Sequence, residues 1–158
     1  MKSILRKIVI LACVTMLLIM PSASALASTT SQPTLLLSTS GSGWTYRMWQ
    51  YQPEPLDLLT SQTVTLTDTT TGQPHFYTPA GQDFTFSVYV SGVFQCRVYR
   101  IGNNSSQIVY NSDGAPNIFG SYIPAVDYAC SYIIQLTSIT QPQYNTAKIS
   151  TYDVQWFY

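Results

Sequence analysis

Apolar and polar side chains alternate along much of this chain with the two-residue period of a strand that buries one face. Phe84, Phe86, Val88 and Val90 share one side of a run whose other side is Thr85, Ser87 and Tyr89. After Ser91-Gly92-Val93 the pattern resumes, with Phe94, Cys96 and Val98 against Gln95, Arg97 and Tyr99. With 91–93 as a hairpin loop, Val90–Phe94, Val88–Cys96 and Phe86–Val98 pair on the inward face. A two-residue loop would mix the faces, because a slip of one residue inverts a strand. Later in the chain Val126, Tyr128, Cys130, Tyr132, Ile134 and Leu136 hold one phase, and Tyr152, Val154, Trp156 and Tyr158 hold another. Val64 and Leu66 point inward between Thr63, Thr65 and Thr67.

Trp44 to Gln52 reads as a strand stopped by Pro53 and Pro55. Its sides are Trp44, Tyr46 and Met48 against Thr45, Arg47, Trp49 and Tyr51. The second side carries the polar residues and is expected to face solvent. Short strands are expected at 75–77 and 107–111, with turns at 69–74, 79–81, 102–106 and 141–145. Ser112 to Pro124 reads as a 13-residue loop, long enough to bind something. The pattern predicts about eight short antiparallel strands and no helix. That is an all-β fold, a single β-sandwich of jelly-roll or immunoglobulin-like topology over residues 44–158.

The first residues follow another logic. Lys2, Arg6 and Lys7 precede the uncharged run Ile8 to Met20, and Ala25-Leu26-Ala27 supplies small residues for cleavage. This is the pattern of a secretory signal peptide over 1–27, cut after Ala27. The apolar run is too short to anchor the product in a membrane. Ser28 to Gly43 is expected to be a flexible N-terminal segment, rich in Ser and Thr. Beyond the signal, four basic residues stand against seven acidic ones, which argues against nucleic acid or an anionic lipid surface as partner. In an exported chain, Cys96 and Cys130, both in the inward phase, predict one disulfide. The alternative is a pair of buried free thiols.

The succession Pro79-Ala-Gly-Gln82, Phe84-Thr-Phe-Ser-Val-Tyr-Val90, Cys96-Arg-Val-Tyr-Arg100 and Tyr132-Ile-Ile-Gln-Leu-Thr137 resembles bacterial pre-peptidase C-terminal domains, secreted β-sandwich modules attached to exported enzymes. The resemblance covers about 60 residues and implies the fold alone. Where that family usually carries a short acidic motif, this chain has Gln95, Cys96 and Arg97, so no metal site is carried over.

Chemistry-bearing residues are sparse. His75 is the single histidine, and no Gly-x-Ser-x-Gly elbow accompanies it to build a triad. One histidine and two cysteines do not make a zinc site. Glu54 and Asp57 form the closest carboxylate pair, in a Pro-interrupted loop. Asn111, Asp113 and Asn117 lack the clustered carboxylates of a dedicated calcium loop. Asn103-Asn104-Ser105-Ser106 holds two overlapping N-glycosylation sequons. No cofactor or metal is expected. The functional hint is aromatic: Trp49, Tyr51, Tyr89 and Tyr99, placed outward among small polar residues, suit a sugar face or a protein partner. The expectation is a secreted, non-enzymatic interaction module for polysaccharide or an extracellular protein. The alternatives are a small carboxylate-dependent hydrolase and a self-assembling matrix or toxin-like protein, the last suggested by Gln155-Trp-Phe-Tyr158, which has no charge after Asp153.

Overall fold

The computed structural model describes residues 31–139 and 147–157. The expected signal segment 1–27, its cleavage point after Ala27, the turn at 141–145 and Tyr158 lie outside the described residues. In chain order the strands are β1 (Gln32–Gly41), β2 (Trp44–Gln52), β3 (Leu56–Leu58), β4 (Thr63–Thr65), β5 (Phe76–Thr78), β6 (Asp83–Ser91), β7 (Phe94–Gly102), β8 (Ser105–Gly114), β9 (Ile118–Ile123), β10 (Cys130–Ser138) and β11 (Ala147–Phe157). There is no helix among the described residues.

The strands form two antiparallel sheets. The first runs β1-β2-β11-β6-β9, with β3 prolonging β2 along the same edge of β11. The second runs β4-β10-β7-β8, and β5 takes the other end of β10's free edge. With β2 and β3 counted as one broken strand, and β4 and β5 as another, eight strands remain beside β1. Successive strands from β5 to β8 then fall in the second, first, second and second sheets, and β9, β10 and β11 alternate. This is the jelly-roll form of the sandwich.

Alternation decides which residues meet between the sheets. Phe84, Phe86, Val88 and Val90 of β6 face Phe94, Cys96 and Val98 of β7 and Tyr132, Ile134 and Leu136 of β10 across the core, all buried. Phe84 stacks on Tyr132 with ring centroids 4.3 Å apart. Each buried aromatic removes some 150–250 Å² from water, so this layer dominates the hydrophobic stabilisation.

Several expectations are corrected here. Residues 91–93 are not a hairpin loop: β6 pairs with β11 and β9, whereas β7 pairs with β10 and β8. The segment instead carries the chain from one sheet to the other, and both strands keep the inward phase because their inner faces oppose each other. The true hairpin follows β7, where Asn103 and Asn104 adopt φ of 48° and 57° between the paired Gly102 and Ser105. Two central residues with positive φ make a type I′ turn, which suits Asn. The expected loop at 112–124 is mostly strand: β8 runs to Gly114 and β9 begins at Ile118. Residues 32–41, expected to be flexible, form β1 and pair with β2 through Ser42-Gly43. An edge strand is held by its backbone ladder, so its Ser and Thr side chains need bury little.

The expected Cys96–Cys130 disulfide is absent, and both cysteines are buried free thiols. They do share the inward phase. However, Cys96 lies opposite Leu136, six residues along β10 from Cys130. At the rise of a strand that is about 20 Å, several times the Cα separation a disulfide tolerates. Finally, the aromatic stretch ending in Trp156 and Phe157 is not an open edge. β11 lies between β2 and β6, so both of its ladders are occupied.

Candidate functional site

The four aromatics singled out in the sequence do not make one surface. Trp49 is 0% exposed and Tyr51 is 4% exposed; both belong to the core, opposite to the expected side of β2. Burial pushes the Tyr51 phenol up to about 12. Tyr89 lies outward on the first sheet and Tyr99, half-buried, outward on the second, so the sandwich separates them. The reason for the inversion is Arg47. It shares the inward side with Trp49, and its charge is neutralised inside rather than solvated outside.

Arg47 reaches from β2 to the segment between β4 and β5. Its Nη1 donates to Asp68 Oδ2 at 3.1 Å and to Thr70 Oγ1 at 2.9 Å. The guanidinium also lies over the Trp156 ring, 5.4 Å from its centroid. Asp68 is 3% exposed, and an isolated carboxylate there would be costly. It is satisfied on both oxygens: Oδ2 by Arg47, and Oδ1 by the backbone N–H of Thr70 at 3.0 Å and by the Thr70 hydroxyl. The Asp68 carbonyl accepts from Gly72 N–H at 2.8 Å, while Asp68 N–H donates to the Gln73 carbonyl at 2.9 Å. The loop is thereby closed on itself.

Sheet one holds this loop from below. Trp49 Nε1 donates to Thr69 Oγ1 at 2.9 Å, and the Tyr152 hydroxyl donates to the Thr67 carbonyl at 2.6 Å. Trp49 and Tyr152 stack with centroids 5.2 Å apart. A buried indole or phenol needs a partner for its polar end, and here the loop provides both partners. Trp49 is thus a brace rather than a contact residue.

Beside the braced loop opens a cleft of about 300 Å³, lined by Thr45, Arg47, Asp68, Thr71, Tyr77, Pro79, Gln82 and Trp156. Its size is at the lower end of small-molecule sites. Trp156 forms a wall, fixed by the bond from its Nε1 to Thr78 Oγ1 at 2.9 Å. Tyr77 stands at the rim, 59% exposed. Gln82 is 6% exposed, yet its carboxamide makes no hydrogen bond among the described residues. Its polar atoms are not sealed from solvent, and the residue lines the cleft. A buried amide normally finds partners; this one is free to offer two donors and an acceptor to a guest.

The sequence signal for this site was the polar pair Thr45 and Arg47 on a strand face with two large aromatics. Asp68, Gln82 and Trp156 carried no distinguishing local pattern. Among the described residues, no three His, Cys, Asp or Glu side chains cluster in a way that would hold a metal ion. Asp57 pairs with Lys148 at 3.2 Å on the surface, and Asp83 accepts from the Ala125 N–H at 2.7 Å. His75 is half-buried just before β5, outside the cleft lining.

No family model matches the chain, and neither does any curated protein. Among solved structures, murine APRIL at pH 8.0 is similar over 80% of this chain and 95% of its own, with 12% identity and a TM-score of 0.36. The Drosophila melanogaster CENP-C cumin domain matches over 86% of this chain and 84% of its own, with 13% identity and a TM-score of 0.29. A CBM4 structure matches over 81% of this chain and 77% of its own, with 9% identity and a TM-score of 0.24. Likenesses at this level carry no argument about function.

Proposed function

We propose that this is an exported protein that acts by binding, without catalysis, and that its ligand site is the cleft between Arg47, Asp68 and Trp156. The observation that carries the reading is Gln82, a buried side chain in a braced cleft whose carboxamide has no partner among the described residues. A site fixed before the ligand arrives loses little freedom on binding, and the bonds to Thr67, Asp68, Thr69 and Thr70 fix this one. Asp68 is the only acid in the lining among the described residues. Both its oxygens already accept bonds, which suits it to hold Arg47 rather than to transfer protons. Export rests on the basic start, apolar run and Ala25-Leu26-Ala27, with an extracellular polysaccharide or protein as partner.

The test compares the wild-type chain with Gln82→Ala and Tyr77→Ala on immobilised glycans and peptides, with melting temperatures measured in parallel. Retention by the wild-type chain, lost in both variants at unchanged melting temperature, is expected. Retention unaffected by either variant would move the site elsewhere. Hydrolysis of a glycan or peptide by the pure protein, abolished by replacing one acidic residue, would overturn the non-catalytic reading.

A further inference from the structure

The cleft's hydrogen-bonding groups specify the chemistry of its guest. We infer that the ligand is an uncharged saccharide, bound by one end of its chain with a ring face against Tyr77. This rests on the cleft being the ligand site and adds the ligand class to it.

Charge is the first argument. Arg47 is the only cation in the lining among the described residues, and its ion pair with Asp68 at 3.1 Å cancels it. A carboxylate or phosphate guest would meet Asp68 beside the guanidinium and would find Arg47 Nη1 already committed to Asp68 and Thr70. An ammonium guest would meet Arg47. Neither sign of charge is favoured.

The second argument is the kind of polar group on offer. Thr45 and Gln82 are neutral and can each both donate and accept, and Thr71, whose hydroxyl donates to the Asp68 carbonyl at 3.2 Å, can still accept. A sugar hydroxyl does the same, so one ring can satisfy several of them at once. The apolar part of the lining consists of the aromatic rings of Tyr77 and Trp156 and the compact ring of Pro79, with no open-chain aliphatic side chain among the described residues. A peptide side chain would find no aliphatic pocket here, whereas the C–H face of a pyranose can lie on the ring of Tyr77, 59% exposed at the rim. The volume of about 300 Å³ suits one or two rings, and the open side allows a longer chain to continue into solvent.

The test is a titration of the isotope-labelled chain, followed by the Trp156 indole N–H and Gln82 carboxamide resonances in two-dimensional NMR. The probes are methyl glycosides of glucose, galactose, mannose, xylose and N-acetylglucosamine, then glucuronate and glucose 6-phosphate, then tetra-alanine. At least one neutral glycoside should shift both resonances in a saturable way. Tyr77→Ala should weaken it about tenfold, as loss of a ring contact at an interface does. The acidic sugars should bind at least about tenfold more weakly than their neutral parents. Equal or tighter binding of the acidic forms would overturn the inference, as would tetra-alanine shifting the same resonances where no glycoside does. In either case the cleft would survive as a ligand site. If no probe moves the two resonances, both the saccharide and the cleft reading fall.

Discussion

Replacing Trp49 tests the claim that this residue braces the loop from within rather than meeting a ligand outside. Trp49 is fully buried, stacks on Tyr152 at 5.2 Å, leans on Phe76 at 5.6 Å and donates to Thr69 at 2.9 Å. Truncating a core aromatic to Ala costs about 3–5 kcal/mol in lost transfer energy and cavity. For a domain of this size each kcal/mol moves the melting temperature by about 3–5 °C, so Trp49→Ala should melt about 10–20 °C lower. Trp49→Phe supplies a graded version that keeps most of the stability. It retains most of the ring and removes the N–H, worth about 0.5–1.5 kcal/mol for the bond plus a small cavity term. Thr69→Val removes the acceptor from the other side, and the double variant should cost less than the two singles together, by about 0.5–1 kcal/mol. Thermal melts by circular dichroism, with urea melts for the free energies, measure all four variants beside the wild-type chain. A Trp49→Ala protein that melts within about 3 °C of the wild-type chain would refute the bracing role and return Trp49 to the surface.

Three further expectations follow from the same framework. Arg47→Met keeps the stem of the side chain but leaves Asp68 buried without its cation; with Arg47 29% exposed, the loss in a urea melt should be about 2–3 kcal/mol, below the cost of breaking a fully buried pair. Asp153 lies among the strands of sheet one, and burial raises its carboxyl from 3.8 to about 6, against a smaller opposing bond from Ser87. The native state therefore holds this proton more tightly than the unfolded chain, so the contribution is complete below about pH 4 and lost as pH rises through about 6; Asp153→Asn should flatten the stability profile across that window in melts at stepped pH. Cys96, whose thiol burial pushes up to about 12, and Cys130 should resist alkylation in the folded protein. Both should react after unfolding without reductant, and a mass showing no added label would restore the disulfide.

The face of each well-patterned strand was legible because burial on one side leaves a two-residue period. Phe84 to Val90, Phe94 to Val98 and Tyr132 to Leu136 all sit inside as their alternation requires. Period does not say which strand lies alongside, and that is why β6 and β7, adjacent in sequence with matching phases, mimic a hairpin although they belong to opposite sheets. Nor does it give the position along a strand, so two cysteines on one face looked near when the length of six residues separates them. β2 failed differently. Its two sides carry similar apolar content, and Arg47 and Thr45 tipped the assignment outward; only a distant carboxylate, Asp68, makes the inward choice favourable. The Ser- and Thr-rich β1 gave no period at all, since as an edge strand it is defined by backbone bonds to β2. The cleft was legible only as an oddity, a charged residue beside two large rings. Gln82 and Trp156 join it through tertiary contacts that no local pattern encodes.

The place of β11 between β2 and β6 bears on the order in which the molecule can be made. Without β11, β2 and β6 share no ladder, so the first sheet has a gap at its centre until the last strand inserts. Trp156, which carries the cation–π contact to Arg47, arrives with that same strand. The N-terminal strands emerging from a ribosome therefore cannot complete the first sheet ahead of the rest. Such distant pairings also make folding slow, because the intervening chain must be ordered before the central ladder forms. A chain shortened before β11 would lose the midline of one sheet and the wall of its cleft in a single step, leaving β2 and β6 as two raw edges open to other chains.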